Sequence, residues 1–101
     1  MRPMDRGHAL AILRQHADTL RNRGIRHAAL FGSVARGDAG PESDIDILIE
    51  LAPEAELDLF AYAGLTTYIA ALFSGPVDVV DVDALKPYER QPAVADAIYA
   101  F

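Results

Sequence analysis

Two apolar runs joined by a short polar stretch constrain this chain more than any other feature. HAALF ends at Phe31, the segment from Gly32 to Asp44 follows, and IDILIEL leaves from Ile45. The stretch between holds Gly37, Asp38, Gly40, Pro41 and Ser43, residue types that favour turns over regular structure. Both runs are apolar, the second mostly β-branched, and both are too short for globular helices, so they read as strands. The pattern predicts strand one over 25–31 and a short helical turn opened by Ser33 and stopped by Gly37. Strand two then runs to about Leu51, where Ala52-Pro53 closes it. A connection this short favours an antiparallel pair.

Acids stand at the start of the second strand. Side chains alternate faces along a strand, so Asp44 and Asp46 share one face, roughly 6.5–7 Å apart. Ile45, Ile47 and Ile49 take the other. Two neighbouring carboxylates repel, and each raises the cost of ionising the other. A divalent cation removes that penalty, because Mg²⁺ takes hard oxygen ligands, usually one or two carboxylates plus substrate phosphates. An isolated pair of acids at a strand end would more often simply point into water. Gly32 and Ser33 shift the balance: glycine lets a backbone approach a ligand closely, and free N–H groups at a helix start favour phosphate. Arg36 could face the same anion or simply be solvated. Gly32 and Gly37 imitate a P-loop, but Asp38-Ala39 stands where Lys-Ser/Thr is required. Asp44 and Asp46 imitate the head of a Ca²⁺ loop, but Leu48 and Ile49 break that pattern.

The flanking chain supplies helices and a third strand. Residues 5–22 carry Leu10, Leu13, Ala17 and Leu20 at helical spacing and read as the first helix. Residues 54–73 read as a second, with Leu57, Phe60, Ala61, Leu65, Tyr68, Ile69 and Leu72 as a broad apolar stripe. Gly64 inside it costs about 1 kcal/mol relative to Ala, tolerable if it allows close packing on the sheet. Tyr62 and Tyr68 read as packing residues. Residues 77–82 form strand three, and the strand–helix–strand crossover makes strands two and three parallel neighbours. The end of strand one and the starts of strands two and three then meet at one end of the sheet. Asp78 joins Asp44 and Asp46 there by position and by parity, whereas Asp81 and Asp83 read as a turn and a helix cap. A short helix should begin near each of Pro87 and Pro92. Residues 97–101 could prolong the last helix or form an edge strand. His8, His16 and His27 have no spacing that suggests a metal site.

Residues 1–101 are read as one α+β domain of α-β-α-β-α-β order, with a three-stranded mixed sheet and helices packed on it. The chain has no cysteine, which excludes disulfides and thiolate metal sites. Its net charge of −6 counts against direct nucleic-acid binding. It does not exclude a metal-screened triphosphate. With no long apolar run and no leader pattern, neither membrane span nor export is expected, and the cytoplasm is the expected compartment.

Gly32-Ser33, ten residues, then Asp44-Ile45-Asp46 resembles the signature of the polymerase-β-type nucleotidyltransferase superfamily. GSVARG and SDIDILIE are close to its usual wording, and the likeness extends over about residues 8–100. It is nearest to the minimal nucleotidyltransferase branch, many of whose members are antitoxins paired with HEPN-domain toxins. The resemblance implies a nucleotidyltransferase fold, ATP as substrate and two Mg²⁺ ions on Asp44, Asp46 and Asp78. Those three acids would be catalytic, with Gly32, Ser33 and Arg36 holding the phosphates. It further implies transfer of AMP to a protein hydroxyl, a tyrosine of a HEPN ribonuclease toxin, within a hetero-oligomer. Two alternatives stay open: the catalytic lobe of an aminoglycoside-type enzyme, and an antitoxin that silences its toxin by binding alone.

Overall fold

The computed structural model describes residues 5–38, 40 and 43–101; Pro41, one of the expected turn residues, lies outside them. The elements are α1 (Arg6–Gln15), α2 (Ala17–Asn22), β1 (Ile25–Phe31), α3 (Gly32–Arg36), β2 (Ile45–Leu51), α4 (Leu59–Ala71), β3 (Val77–Asp81), a 3₁₀ turn (Val82–Ala84), α5 (Pro87–Asp96) and β4 (Ile98–Tyr99). The fold is α+β, as the strand and helix patterns require. The sheet has four strands in the order β3-β2-β1-β4, one more than expected. β1 and β2 pair antiparallel and β2 and β3 pair parallel across the α4 crossover.

The fourth strand settles the fate of the last residues. Ile98 and Tyr99 pair with Leu30 and Ala29, and the Ala100 amide donates to the Ala28 carbonyl at 2.8 Å. Arg14 fastens this edge: its Nε donates to the Ala100 carbonyl and its Nη2 to that of Tyr99. The Arg21 guanidinium lies over the Phe101 ring, 4.8 Å from its centre.

Parity along β2 divides the molecule. Ile45, Ile47 and Ile49 are buried with Ala28 and Leu30 of β1 and with Leu13, Leu20, Leu65 and Ile69 of the helices. Ala29, Leu48 and Ala93 are also buried but stand outside that cluster. They belong to the opposite face of the sheet, where α5 packs near the β1 end. Burying a side chain such as Ile47 contributes about 1.5–3 kcal/mol. A one-residue slip of β2 would therefore expose its three isoleucines, and this fixes its register.

Several helical expectations are corrected. The first helix is two helices, because the chain breaks at His16 (φ −106°, ψ 12°), whose Nδ1 lies 2.9 Å from the Ile12 carbonyl oxygen. α4 begins at Leu59, not near residue 54, because the Asp58 side chain accepts the Ala61 amide at 2.7 Å and caps it there. Phe60, assigned to the apolar stripe, is 86% exposed. Five residues from Leu65, it sits about 140° around the helix. Gly64 is exposed and does not contact the sheet; a Cβ there would meet only Arg23 Nη2, at 3.5 Å. Tyr62 and Tyr68 do pack against the core. One helix, α5, runs through both prolines, with Pro87 in its first turn and Pro92 inside it at the cost of one hydrogen bond. Asp81 caps the 3₁₀ turn by accepting the Asp83 amide at 2.9 Å, the role expected for it. Among the described residues, no helix is long and apolar enough to cross a membrane.

Candidate active site

Three strands deliver the site. In the observed register Asp46 of β2 stands between Phe31, the last residue of β1, and Asp78 of β3. Adjacent strands lie about 4.8 Å apart, so Asp46 and Asp78 rise side by side from the sheet face opposite the isoleucine core. Asp44 precedes the first residue of β2, two residues before Asp46, and its charge acts on Asp46 as well. Asp44 and Asp78 are exposed and Asp46 is half-buried. Burial pushes the Asp46 carboxyl above the usual carboxylate range, and the charges of Asp78 and Asp44 push it further in that direction. Arg36 pulls it back. Asp81 pairs with Ile49 towards the far end of β3 and takes no part in this cluster.

Gly32 and Ser33 follow β1 directly. Phe31, extended, occupies the cap position of α3, and Ser33 is the second residue of that helix, where the sequence suggested it as the opening residue. The difference arises at Gly32, whose φ of +71° turns the chain out of the strand one residue earlier. The close approach that requires a glycine is to the protein itself. A Cβ on Gly32 would overlap Asp46 Oδ2 and lie 3.2 Å from its Cγ. Gly32 is thus the floor against which the Asp46 carboxylate is seated. α3 ends at Gly37 (φ +80°), the expected stop.

Arg36 is exposed, but two of its guanidinium nitrogens are engaged by acids. Its Nη1 donates to Asp96 Oδ2 at 2.8 Å and its Nε to Asp38 Oδ2 at 3.2 Å. These two acids, and Arg6, whose Nη1 donates to the Ala35 carbonyl at 3.0 Å, are participants the sequence reading missed. An Asp at the last position of α5 was the available signal, since an acid is disfavoured at a helix C-terminus unless a cation meets it.

Among the described residues, no three acidic or histidine side chains already form a metal cage. A cavity of about 240 Å³ opens on the sheet between α5 and the strands. His27, Leu48, Glu50, Arg90, Val94 and Tyr99 line it, and none of the three site carboxylates does.

Comparison with known proteins places this geometry. The nucleotidyltransferase domain family matches residues 13–100. The protein adenylyltransferase MntA of Thermococcus cleftensis is 34% identical over 90 residues, covering 88% of this chain and 89% of its own. A solved structure assigned as a minimal nucleotidyltransferase superposes with a TM-score of 0.70 at 31% identity, covering 94% of this chain and 95% of the other. A toxin–antitoxin crystal structure with AMP-PNP matches with a TM-score of 0.68 at 26% identity, covering 87% of this chain and 72% of the other. The strand-borne acids, the Gly32 turn and these likenesses agree, and the chain belongs to the nucleotidyltransferase domain family.

Proposed function

We propose that this protein transfers AMP from ATP to a hydroxyl of a partner protein, a tyrosine of a HEPN-domain toxin, and so acts as an antitoxin. The observation that carries the reading is Asp46 held in register beside Asp78, under the charge of Asp44 and against Gly32. The likeness to a protein adenylyltransferase and to a chain of a toxin–antitoxin crystal structure with AMP-PNP supports the choice of reaction and partner class.

The donor set fits Mg²⁺. All three groups are hard carboxylate oxygens, and the Asp46 carboxyl is raised first by burial and then by the charges of Asp78 and Asp44, which a cation would offset. Mg²⁺ completes its shell with substrate phosphates and water, so a closed protein cage is not required. Asp44, Asp46 and Asp78 would hold it. When bound, it would screen the triphosphate and stabilise the attacking and leaving oxygens of an in-line displacement.

The remaining work falls to the chain's own groups. Ser33 and the free N–H groups at the start of α3 hold the β- and γ-phosphates, with Arg36 at the far end of the same helix. Asp78 orients the acceptor hydroxyl and accepts its proton. The acceptor oxygen bonds to the α-phosphorus as the bond to the bridging oxygen breaks, and pyrophosphate carries away that electron pair. Positioning and electrostatics supply the acceleration.

The test is direct. Incubated with Mg-ATP and a partner HEPN-domain toxin, the protein should add about 329 Da per AMP to that toxin, an increment set by the nucleotide's chemistry. A toxin silenced without any gain in mass would refute the transfer reading.

A further inference from the structure

We propose that Asp96 is a positioning residue for the nucleotide site: through Arg36 it holds α3 and its cationic end in place for the triphosphate. The inference rests on the reading of the site as a nucleotide site and goes beyond it, since Asp96 lies on α5, outside the signature between Gly32 and Asp46.

α3 is too short to be stable alone. It has five residues, whereas isolated helices below about 12–15 residues are marginal. Two of its side chains, Val34 and Ala35, are buried, and its other ties are polar. Arg6 donates to the Ala35 carbonyl from one side, and Arg36 reaches α5 on the other. The Arg36–Asp96 contact spans 60 residues of sequence at 2.8 Å, the shortest ion pair among the described residues.

The position of Asp96 argues that this pairing has a use. As the last residue of α5 it places a negative charge at the negative end of the helix dipole, which costs stability unless a cation answers it. Arg36 answers it and carries a second acid, Asp38, on its Nε. A planar guanidinium can hold both acids in one fixed orientation, which a lysine ammonium cannot. A cation fixed on the helix that begins at Gly32, beside a cluster of acids, suits the distal phosphates of a nucleoside triphosphate. It has nothing to offer a monophosphate seated at the carboxylates.

That difference gives a readout independent of the acceptor. Mg–AMP-PNP and AMP are titrated calorimetrically into the wild type, Asp96→Asn and Asp96→Glu. Loss of an exposed ion pair should weaken AMP-PNP binding about two- to fivefold in Asp96→Asn. AMP binding should not change, and Asp96→Glu should restore most of the loss. In an Arg36→Lys background, Asp96→Asn should add little, because the fork it serves is gone. AMP-PNP binding as tight as wild type in Asp96→Asn would overturn the inference. So would an equal weakening of AMP, which would mark Asp96 as merely structural. A wild type that does not bind Mg–AMP-PNP at all would instead sink the nucleotide-site reading, and this inference with it.

Discussion

Replacing Gly32 by alanine should damage the fold and the site together, and the structure separates the two costs. Gly32 and Gly37 bracket α3 with φ of +71° and +80°. An L-residue in that region pays about 1–2 kcal/mol. A Cβ on Gly37 meets nothing within 4 Å, so Gly37→Ala should pay that backbone cost and little else. A Cβ on Gly32 overlaps Asp46 Oδ2, and the carboxylate or the strand must give way. Overpacking of this kind costs about 1–3 kcal/mol, which brings Gly32→Ala to roughly 2–5 kcal/mol. For a domain of this size each kcal/mol lowers Tm by about 4–8 °C.

Denaturant titration of four proteins tests the division: wild type, Gly32→Ala, Asp46→Ala and the double variant. Truncation at Asp46 removes Oδ2 and Cγ and leaves a Cβ 3.4 Å away, an ordinary contact. In that background the penalty of Gly32→Ala should fall to the level of Gly37→Ala, a coupling of about 1–3 kcal/mol. Equal penalties for Gly32→Ala and Gly37→Ala in the wild-type background would refute the seating of Asp46 on Gly32.

Asp46 itself should show an inverted pH dependence. Its folded-state pKa is raised, so the native state binds this proton more tightly than the unfolded chain. The stability it contributes is full below the unfolded value of about 3.9 and is lost as pH rises through the folded one. Scanned by Tm in EDTA, Asp46→Asn should therefore melt above wild type at neutral pH, with the gap closing in acid; a lower Tm at pH 7 would contradict the repulsion. Gly64→Ala should stabilise α4 by about 1 kcal/mol, because the new methyl meets only Arg23 Nη2 at ordinary contact distance; a Tm decrease would mean the glycine is needed for packing. Asp78→Asn should cut AMP transfer by orders of magnitude with complex formation intact, and Asp81→Asn should leave transfer unchanged; the reverse pattern in a mass-spectrometric assay would overturn the strand parity.

What the sequence made legible follows from period-two alternation. Ile45, Ile47 and Ile49 cannot all be buried unless Asp46 faces the other way, so one observation determined core and site together. Asp78 followed from the parallel crossover, and its pairing with Asp46 is the register that places two acids side by side. Features set by distant partners were not legible. His16 continues a helical pattern on paper, but in the structure its ring turns back to Ile12 and the helix breaks. Phe60 lies inside α4, but about 140° around it from the buried Leu65, and whether that side of the helix is covered depends on elements distant in sequence. The pairing of Ile98 and Tyr99 with β1 depends on Arg14, 85 residues upstream of Tyr99. Arg36 could not be assigned from its own neighbours, because the acid that holds it arrives from α5.

The arrangement also explains why a small domain tolerates a cluster of like charges. Marginal stability of about 5–15 kcal/mol leaves little room for an acidic site inside a core. Here the cost stays low because two of the three acids are exposed and the third is only half-buried. Asp46 carries the unfavourable charge, between Asp78, which adds to it, and Phe31, which leads into the glycine on which the carboxylate rests. The opposite face carries the compensating energy through Ile45, Ile47 and Ile49 of the same strand. β2 thus joins the half-buried acid of the site to three buried side chains of the core. Asp46 is therefore placed by the same strand register that fixes the core, which suits a reaction accelerated by positioning.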